Sequence, residues 1–378
     1  MKPITIIGGG LAGLTLGIGL RQRGVPVVVW EVGRYPRHRV CGEFISGRGQ
    51  ETLKRLGLFA TLCEAGALPA QTASFFAAAR GGPVLRLPEP ALALSRFVLD
   101  AVLAAKFEKL GGELHTGSHR SDAGYGVGVV RASGRRREGA GDGWRWYGVK
   151  GHAVGVELVA DLEMHLRKDA YVGLCRLPDG NTNICGLFRS KRGILDRPVE
   201  RMSEAQPSGR GAEAKDVQIV NPLQPATASG VGARLIETLR GPSGTVLWER
   251  LEAAGFDQGS LCAVGGLRPA GSRVLKSEEC CIGDALGMIP PVTGNGMSLA
   301  FESAELALEP ITAYAVGGVS WEVACRAVAE ECETAFARRL KWGARLQRIL
   351  LSLPAQGEIL ALAMRSGFCW RFFFRATR

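Results

Sequence analysis

The chain has 378 residues, enough for two or three domains, and its 46% apolar and 22% charged make-up excludes a disordered, collagenous or mucin-like polymer. Its 52 glycines are about twice the usual share, as suits a backbone that turns sharply or approaches a ligand closely at many points. The net charge is +11, but nine basic residues and one acid lie from position 334 onward, so +8 belongs to the last 45 residues; this is not the basic, aromatic-studded folded face of a nucleic-acid binder.

Residues 3–20 carry no charge and are long enough to suggest a signal peptide or membrane anchor. The glycine spacing points elsewhere. Ile4, Thr5, Ile6 and Ile7 form a β-branched run suited to a buried strand, followed by Gly8-Gly9-Gly10-Leu11-Ala12-Gly13, a G-x-G-x-x-G turn. Gly8 permits the tight turn, Gly10 lets a diphosphate lie against bare backbone, and Gly13 lets the next helix pack closely on the sheet. A helix is expected over 11–23, its N-terminus carrying about half a positive charge and unpaired N–H groups for that diphosphate. A second apolar strand over 25–30 ends in Glu31, eighteen residues past Gly13, where a carboxylate accepts from ribose hydroxyls. Strand, turn, helix, strand and acid in this order predict a dinucleotide site, and no second such glycine motif occurs.

Further segments are spread down the chain: Arg39-Val40-Cys41-Gly42-Glu43-Phe44, then Leu94-Ser95-Arg96 leading into an apolar helix-compatible run with Asp100 on its other face, then Ala132-Ser133-Gly134-Arg135. Late in the sequence a strand over 274–282 is expected to feed Gly283-Asp284, an acidic turn suited to a ribityl or ribose hydroxyl. Pro290-Pro291-Val292-Thr293-Gly294-Asn295-Gly296-Met297 then opens a helix over 297–308, presenting a second set of free N–H groups.

Jointly these segments, covering most of residues 1–310, resemble the one-Rossmann-domain flavoprotein superfamily of aromatic hydroxylases, geranylgeranyl reductases and flavin-dependent halogenases. The resemblance implies FAD as cofactor, NAD(P)H as a transient reductant, and an α/β fold: a Rossmann-like FAD-binding domain, an antiparallel-sheet substrate domain and a C-terminal helical segment. Beside Gly8, Gly10, Leu11, Ala12, Gly13 and Glu31 it implies cofactor contacts at Arg39, Cys41, Gly42, Glu43, Arg96, Gly134, Gly283, Asp284, Pro291, Gly294, Asn295, Gly296 and Met297. Ser133 departs from the A-D-G the superfamily places there, so the turn is expected to persist with a changed side-chain contact.

The substrate side separates the subfamilies. Residues 171–187 alternate and turn at Asp179-Gly180, a hairpin signal. Geranylgeranyl reductases resemble Y-x-W-x-F-P and halogenases W-x-W-x-I-P here, whereas this chain has Gly173, Cys175 and Arg176 at the diagnostic positions after Tyr171. Trp144 and Trp146 begin like the halogenase box but lack its Ile-Pro and follow the 133–135 turn too soon. We read 144–152 as a strand with Trp146, Gly148, Lys150 and His152 on one face; that face either turns Lys150 and His152 toward a phenolate or, the reading adopted, leaves them solvated. No catalytic acid or base is legible, which agrees with chemistry carried by the cofactor in a dry, orienting cavity. The expected function is NAD(P)H- and O2-dependent hydroxylation of a hydrophobic aromatic or polyketide-like substrate, with alkene reduction and halogenation left open.

The FAD-binding domain is expected to be discontinuous (1–68, 91–135 and 262–312), with the substrate domain at 69–90 and 136–261 and a helical region at 313–378. Residues 201–230 read as a long loop or irregular helix pair near the substrate entrance. Ten scattered cysteines without C-x-x-C or zinc spacing read as reduced thiols of a cytoplasmic protein, and no metal is expected. From Trp321 the pattern is helical, with Phe336, Leu340, Leu346, Leu350 and Leu353 near one face until Pro354, before a last segment over 359–374. Two readings of this basic tail stay open: apolar packing over the substrate domain, or peripheral contact with an anionic membrane.

Overall fold

In a computed structural model of the chain, the structure describes residues 1–77, 80–118, 126–135, 145–191, 229–267, 279–288 and 290–352, with 365, 366, 371 and 374. The chain opens with β1 (Ile4–Ile7), α1 (Leu11–Gln22) and β2 (Val27–Glu31), the βαβ unit expected. β3 (Phe44–Ile45), α2 (Arg48–Arg55) and α3 (Phe59–Glu64) lead to β4 (Leu68–Ala77), β5 (Arg80–Gly81) and β6 (Leu85–Ala93). The chain returns through α4 (Arg96–Lys109), β7 (Glu113–Thr116) and β8 (Val129–Arg131). It leaves again for β9 (Arg145–Val154), β10 (Leu162–Arg167), β11 (Ala170–Arg176), β12 (Thr182–Ser190), α5 (Ser229–Arg240), α6 (Val246–Leu251) and β13 (Gly255–Gly265). β14 (Cys280–Cys281), α7 (Gly296–Ala315) and α8 (Trp321–Ser352) complete the described chain.

Two sheets result. The first is all parallel, in the order β14-β8-β1-β2-β7. Its crossovers place helices over it, which is why α1 is buried from Leu11 to Leu20 rather than along one stripe. Gly17 and Gly19 make that packing possible: a Cβ there would lie 2.8 Å from the Phe107 ring of α4 and 2.6 Å from Leu308 of α7. The second sheet runs β13-β9-β12-β11-β10-β4-β6-β3, with β5 on β4. All its pairings are antiparallel except β10 with β4, where the strands formed before the excursion into the first sheet meet those formed after it. The hairpin between β11 and β12 turns at Gly180, φ +80°, as Asp179-Gly180 foretold.

β9 shows how the second sheet divides its faces. Val149 and Ala153 pack with Leu235 and Leu239 of α5 and Leu247 and Leu251 of α6, whereas Gly148, Lys150 and His152 point the opposite way, toward Val40 and Glu43 in the segment between β2 and β3. The β2–β3 segment and, through Glu43, the start of α4 therefore lie against that second face.

α8 spans both. Trp321, Ala324, Val328, Cys332 and Phe336 enter the core of the parallel-sheet domain, while Leu346 and Leu351 join the apolar cluster on the second sheet. Fully burying a side chain of this size contributes roughly 1.5–3 kcal/mol, so this long helix is fixed by its apolar face along its length. A buried Arg339–Glu302 pair, 2.6 Å, ties it to α7 midway. The helix expected over the tail is present, with its apolar face on protein; the side chain of Leu350, residue Leu353 and most of 359–374 lie outside the described residues. So do most of the strand expected over 274–282 and of the loop expected over 201–230.

Candidate functional site

The turn after β1 has the shape its glycines require. Gly8 has φ +110°, and a Cβ there would lie 2.3 Å from the Ala132 carbonyl oxygen; a Cβ on Gly13 would lie 1.9 Å from the Gly8 carbonyl oxygen. Gly10 is different, because a Cβ on it would meet nothing within 4 Å. Open space thus stands in front of the α1 N-terminus, where no side chain caps the helix and no acid occupies the first turn. Leu11 and Ala12 bury their side chains in the core, leaving backbone N–H groups as what they can offer a ligand. This is a cradle for an anion held by main-chain donors and the helix dipole.

Glu31 sits beside it, 3% exposed. Its Oε1 accepts from Gly33 N (2.7 Å) and Arg37 Nη1 (2.6 Å), and its Oε2 from Gly9 N (2.8 Å). Burial alone would raise the carboxyl; the hydrogen bond and charge of Arg37, with help from Arg39 at 3.7 Å and Gly33, overturn that and hold it at about 2. A carboxylate offers about four acceptor positions, so one remains, on Oε2, for a ribose hydroxyl. Arg37 is the residue that sequence reasoning passed over in favour of its neighbour Arg39. It is 7% exposed, its guanidinium lies over the Tyr35 ring, and its Nε and Nη2 are buried and without a hydrogen-bond partner.

Arg39, Cys41, Arg96, Arg135 and Asp284 form the next stretch of wall, linked by mutual electrostatic influence. Asp284 is open to solvent but enclosed by protein, and burial raises its carboxyl against the opposing charges of Arg135 and Arg96. Burial likewise pushes the Cys41 thiol up, opposed by Arg96. Asp100, expected on the face of α4 away from the apolar run, is fully buried and lies beside Arg96. One turn on, it takes the guanidinium in a two-point pair, Nε–Oδ1 2.6 Å and Nη2–Oδ2 2.8 Å, with the carboxylate fully buried. The i, i+4 spacing puts both on one face, and the pair fixes where Arg96 presents its remaining donors. Gly134 adopts φ +77° with open space around it, so the turn at Ser133 is kept. Gly283, φ +60°, donates to Ser303 Oγ at 2.9 Å.

The late turn closes the cleft. Pro291–Thr293 is a single 3-10 turn, Gly294 follows at φ +64°, and α7 starts at Gly296 with no side-chain cap and no acid in its first turn. Asn295 is buried and hydrogen-bonded to Ser46 (2.9 Å), and Met297 is buried in the domain core. The ring of Phe44 lies against Gly294 and Gly42, with 2.5 Å and 3.0 Å to where their Cβ atoms would be. Val292 faces the other way, into an apolar cluster with Tyr171, Leu187, Leu267, Leu346 and Leu351, flanked by Phe44 and Trp146.

The largest departure from sequence expectation is at β9. Lys150 and His152 are not solvated: they are 0% and 4% exposed and converge on Glu43. Lys150 Nζ donates to Glu43 Oε1 and His152 Nε2 to Oε2, both at 2.7 Å. The backbone N–H of Arg96 also donates to Oε1, at 2.8 Å. Burial would raise the Glu43 carboxyl, but the His152 hydrogen bond and the Lys150 charge bring it below its ordinary value. His38, stacked on Phe97, accepts from Lys150 at 3.2 Å; burial and the charges of Lys150 and His152 lower its imidazole to about 4, so it is neutral near pH 7. Glu43, expected as a cofactor contact, thus has its carboxylate taken up by protein donors. Alternation along β9 placed Lys150 and His152 together; the partner, more than a hundred positions away, left no sign.

Among the described residues no cluster of His, Cys, Asp or Glu is arranged for a metal ion, and no helix is long and apolar enough to cross a membrane.

Comparison with known proteins agrees with this geometry. Residues 1–139 match the family model described as an FAD binding domain. No curated protein matches the sequence. Among solved structures, the chain is similar to the flavin-dependent brominase Bmp2 (16% identity, 99% of this chain and 92% of that one, TM-score 0.68). It is also similar to pqsL, a probable FAD-dependent monooxygenase from Pseudomonas aeruginosa (14%, 95% and 99%, TM-score 0.63), and to a geranylgeranyl bacteriochlorophyll reductase-like protein from Thermoplasma acidophilum (15%, 100% and 96%, TM-score 0.68). At these identities the likeness is one of fold.

Proposed function

We propose that the chain, whose residues 1–139 match an FAD binding domain, is a one-Rossmann-domain flavoprotein monooxygenase that uses NAD(P)H and O2 to hydroxylate a hydrophobic aromatic or polyketide-like substrate. The observation that carries this reading is Gly173. It stands on β11 where reductases and halogenases of the superfamily carry a tryptophan, and a Cβ there would meet nothing closer than 3.7 Å, so this part of the sheet is bare. The neighbouring Val292 cluster is apolar and suits an aromatic guest.

The residues divide the work. The cradle at Gly10 and the α1 N-terminus would hold the diphosphate, Glu31 and Arg37 the adenosine ribose, and Arg39, Arg96, Arg135 and Asp284 the span between diphosphate and ring. The N–H groups after Gly294 would meet the ring end, beside the apolar cluster. Bound FAD would supply electron transfer from NAD(P)H and activation of O2. The chain's own part is to orient an arene against that end and to keep water from it, which the cluster around Val292 and the end of α8 serve. The absence of a catalytic acid–base pair among the cluster residues suits this role.

The test is product mass under labelled dioxygen. Incorporation of one labelled oxygen atom is expected; gain of two hydrogens instead would make the protein an alkene reductase, and gain of halogen a halogenase. Peripheral membrane contact is a separate proposal, favoured by exposed Arg338, Lys341 and Arg345 along α8. Salt-sensitive co-sedimentation with anionic, but not neutral, vesicles is the expected result.

A further inference from the structure

We infer that Glu43 is a positioning residue, a clasp through which the second sheet holds the cofactor-facing loop 40–44 and the start of α4 in place. The inference rests on the FAD reading for its purpose but not for its geometry. Beyond the pairing of Phe44 with Ala93 in β6, the loop is attached to β9 and β12 through one face of the sheet. Val40 packs on Gly148, where a Cβ would come within 2.7 Å of it. The Cys41 carbonyl accepts from Asn183 Nδ2 at 3.0 Å. Glu43 takes Lys150 and His152, which sit in successive rows of the sheet, Lys150 opposite Cys185 and His152 opposite Asn183.

The same residue grips the first domain. Its carboxylate accepts from Arg96 N, its carbonyl from Leu94 N at 3.1 Å, and its own N–H donates to Cys41 Sγ at 3.5 Å. Glu43 is also one of two described non-glycine residues with positive φ, at +60°. A non-glycine side chain in that region persists only where its surroundings over-determine it, and here both backbone and carboxylate are held from two domains. What the clasp fixes lies on either side of it: Cys41 and Gly42 on the cleft wall, Phe44 against Gly294, and Arg96 with its guanidinium set by Asp100. Glu43 touches none of the cleft itself and acts through those neighbours.

Three variants of the full chain separate positioning from charge balance. Glu43→Gln leaves Lys150 buried without its counter-charge, so lower apoprotein stability and weaker FAD binding are both expected. In Glu43→Gln with Lys150→Met neither charge is left, so the apoprotein should melt near the parent temperature. FAD should still bind about tenfold more weakly, as for loss of one supporting interaction, and Cys41 should be alkylated faster than in the parent, site by site in mass spectra. If this double variant regains parental FAD affinity and Cys41 protection along with its stability, Glu43 only neutralises Lys150 and the inference is overturned. Should the double variant not fold, Glu43→Asp serves: it keeps the charge but is one methylene short, so raised Cys41 reactivity and shifted visible bands of bound flavin are expected, and parental values of both overturn the inference. A parent chain that binds no FAD would sink the cofactor reading alone, while Cys41 alkylation in the apoprotein would still decide the clasp.

Discussion

Lys150 Nζ lies 2.7 Å from Glu43 Oε1 with both side chains wholly out of solvent, although 107 positions separate them. The pair sits where the substrate sheet meets the cofactor loop, and it converts a contact between two domains into a specific register. A buried pair of this kind is a weak source of net stability but an expensive one to break from one side.

Replacing Lys150 by Met is therefore expected to destabilise the protein by about 3–5 kcal/mol, since Glu43 keeps only His152 and one backbone donor. Chemical denaturation of the apoprotein measures it. A loss near zero would mean that the carboxylate is relieved in another way.

His38 reports the same charge. Its imidazole is lowered from 6.5 to about 4 by burial and by Lys150 and His152, so the folded protein binds this proton less readily than the unfolded chain. The contribution to stability is complete above pH 6.5 and is lost as pH falls from there toward 4. Imidazole resonances followed by NMR should give a His38 midpoint near 4, and Lys150→Met should move it upward. A midpoint near 6.5 in the parent would contradict the arrangement.

Glu31 has the same sign over a lower window. Its folded carboxyl is held at about 2 against an ordinary 4.5, so its contribution, roughly 3 kcal/mol, is present above pH 4.5 and disappears as pH falls toward 2. Stability curves of the parent and of Glu31→Gln should diverge at neutral pH and converge in acid. Parallel curves would count against it.

Two glycines of one motif should behave oppositely. Gly10→Ala places a methyl in open space, so the apoprotein should melt as the parent does while FAD binds roughly 10- to 100-fold more weakly. Gly13→Ala drives a methyl to 1.9 Å from the Gly8 carbonyl oxygen, so the fold itself should lose roughly 3 kcal/mol. Melting curves with and without FAD distinguish the two.

Gly173→Trp should fill the bare patch of β11. Raised KM for bulky substrates is expected, with FAD affinity and the flavin spectrum unchanged. An altered flavin spectrum would place this strand closer to the cofactor than the proposed division of the site allows.

Much of this was legible in the chain itself. The motif at residues 8–13, the acid at 31, the hairpin at 179–180 and the glycines at 283 and 294 are local devices: each demands a conformation or an approach that few residues permit, so the residue type carries the information. Arg37 and the Arg96–Asp100 pair were passed over, and the Lys150–His152 pair was read as solvated, for the converse reason. A charged side chain reads as solvated unless its partner is near in sequence, and Asp100 alone was near enough for its i, i+4 spacing to have betrayed it.

The sequence by itself determined a strand–turn–helix that offers bare amides to a dinucleotide, because backbone sterics act over a few residues. Only the tertiary structure decided what becomes of Glu43. Whether a carboxylate faces a ligand or holds two domains together depends on which distant cations the fold delivers to it, and that is settled by packing across the sheet rather than by any local preference.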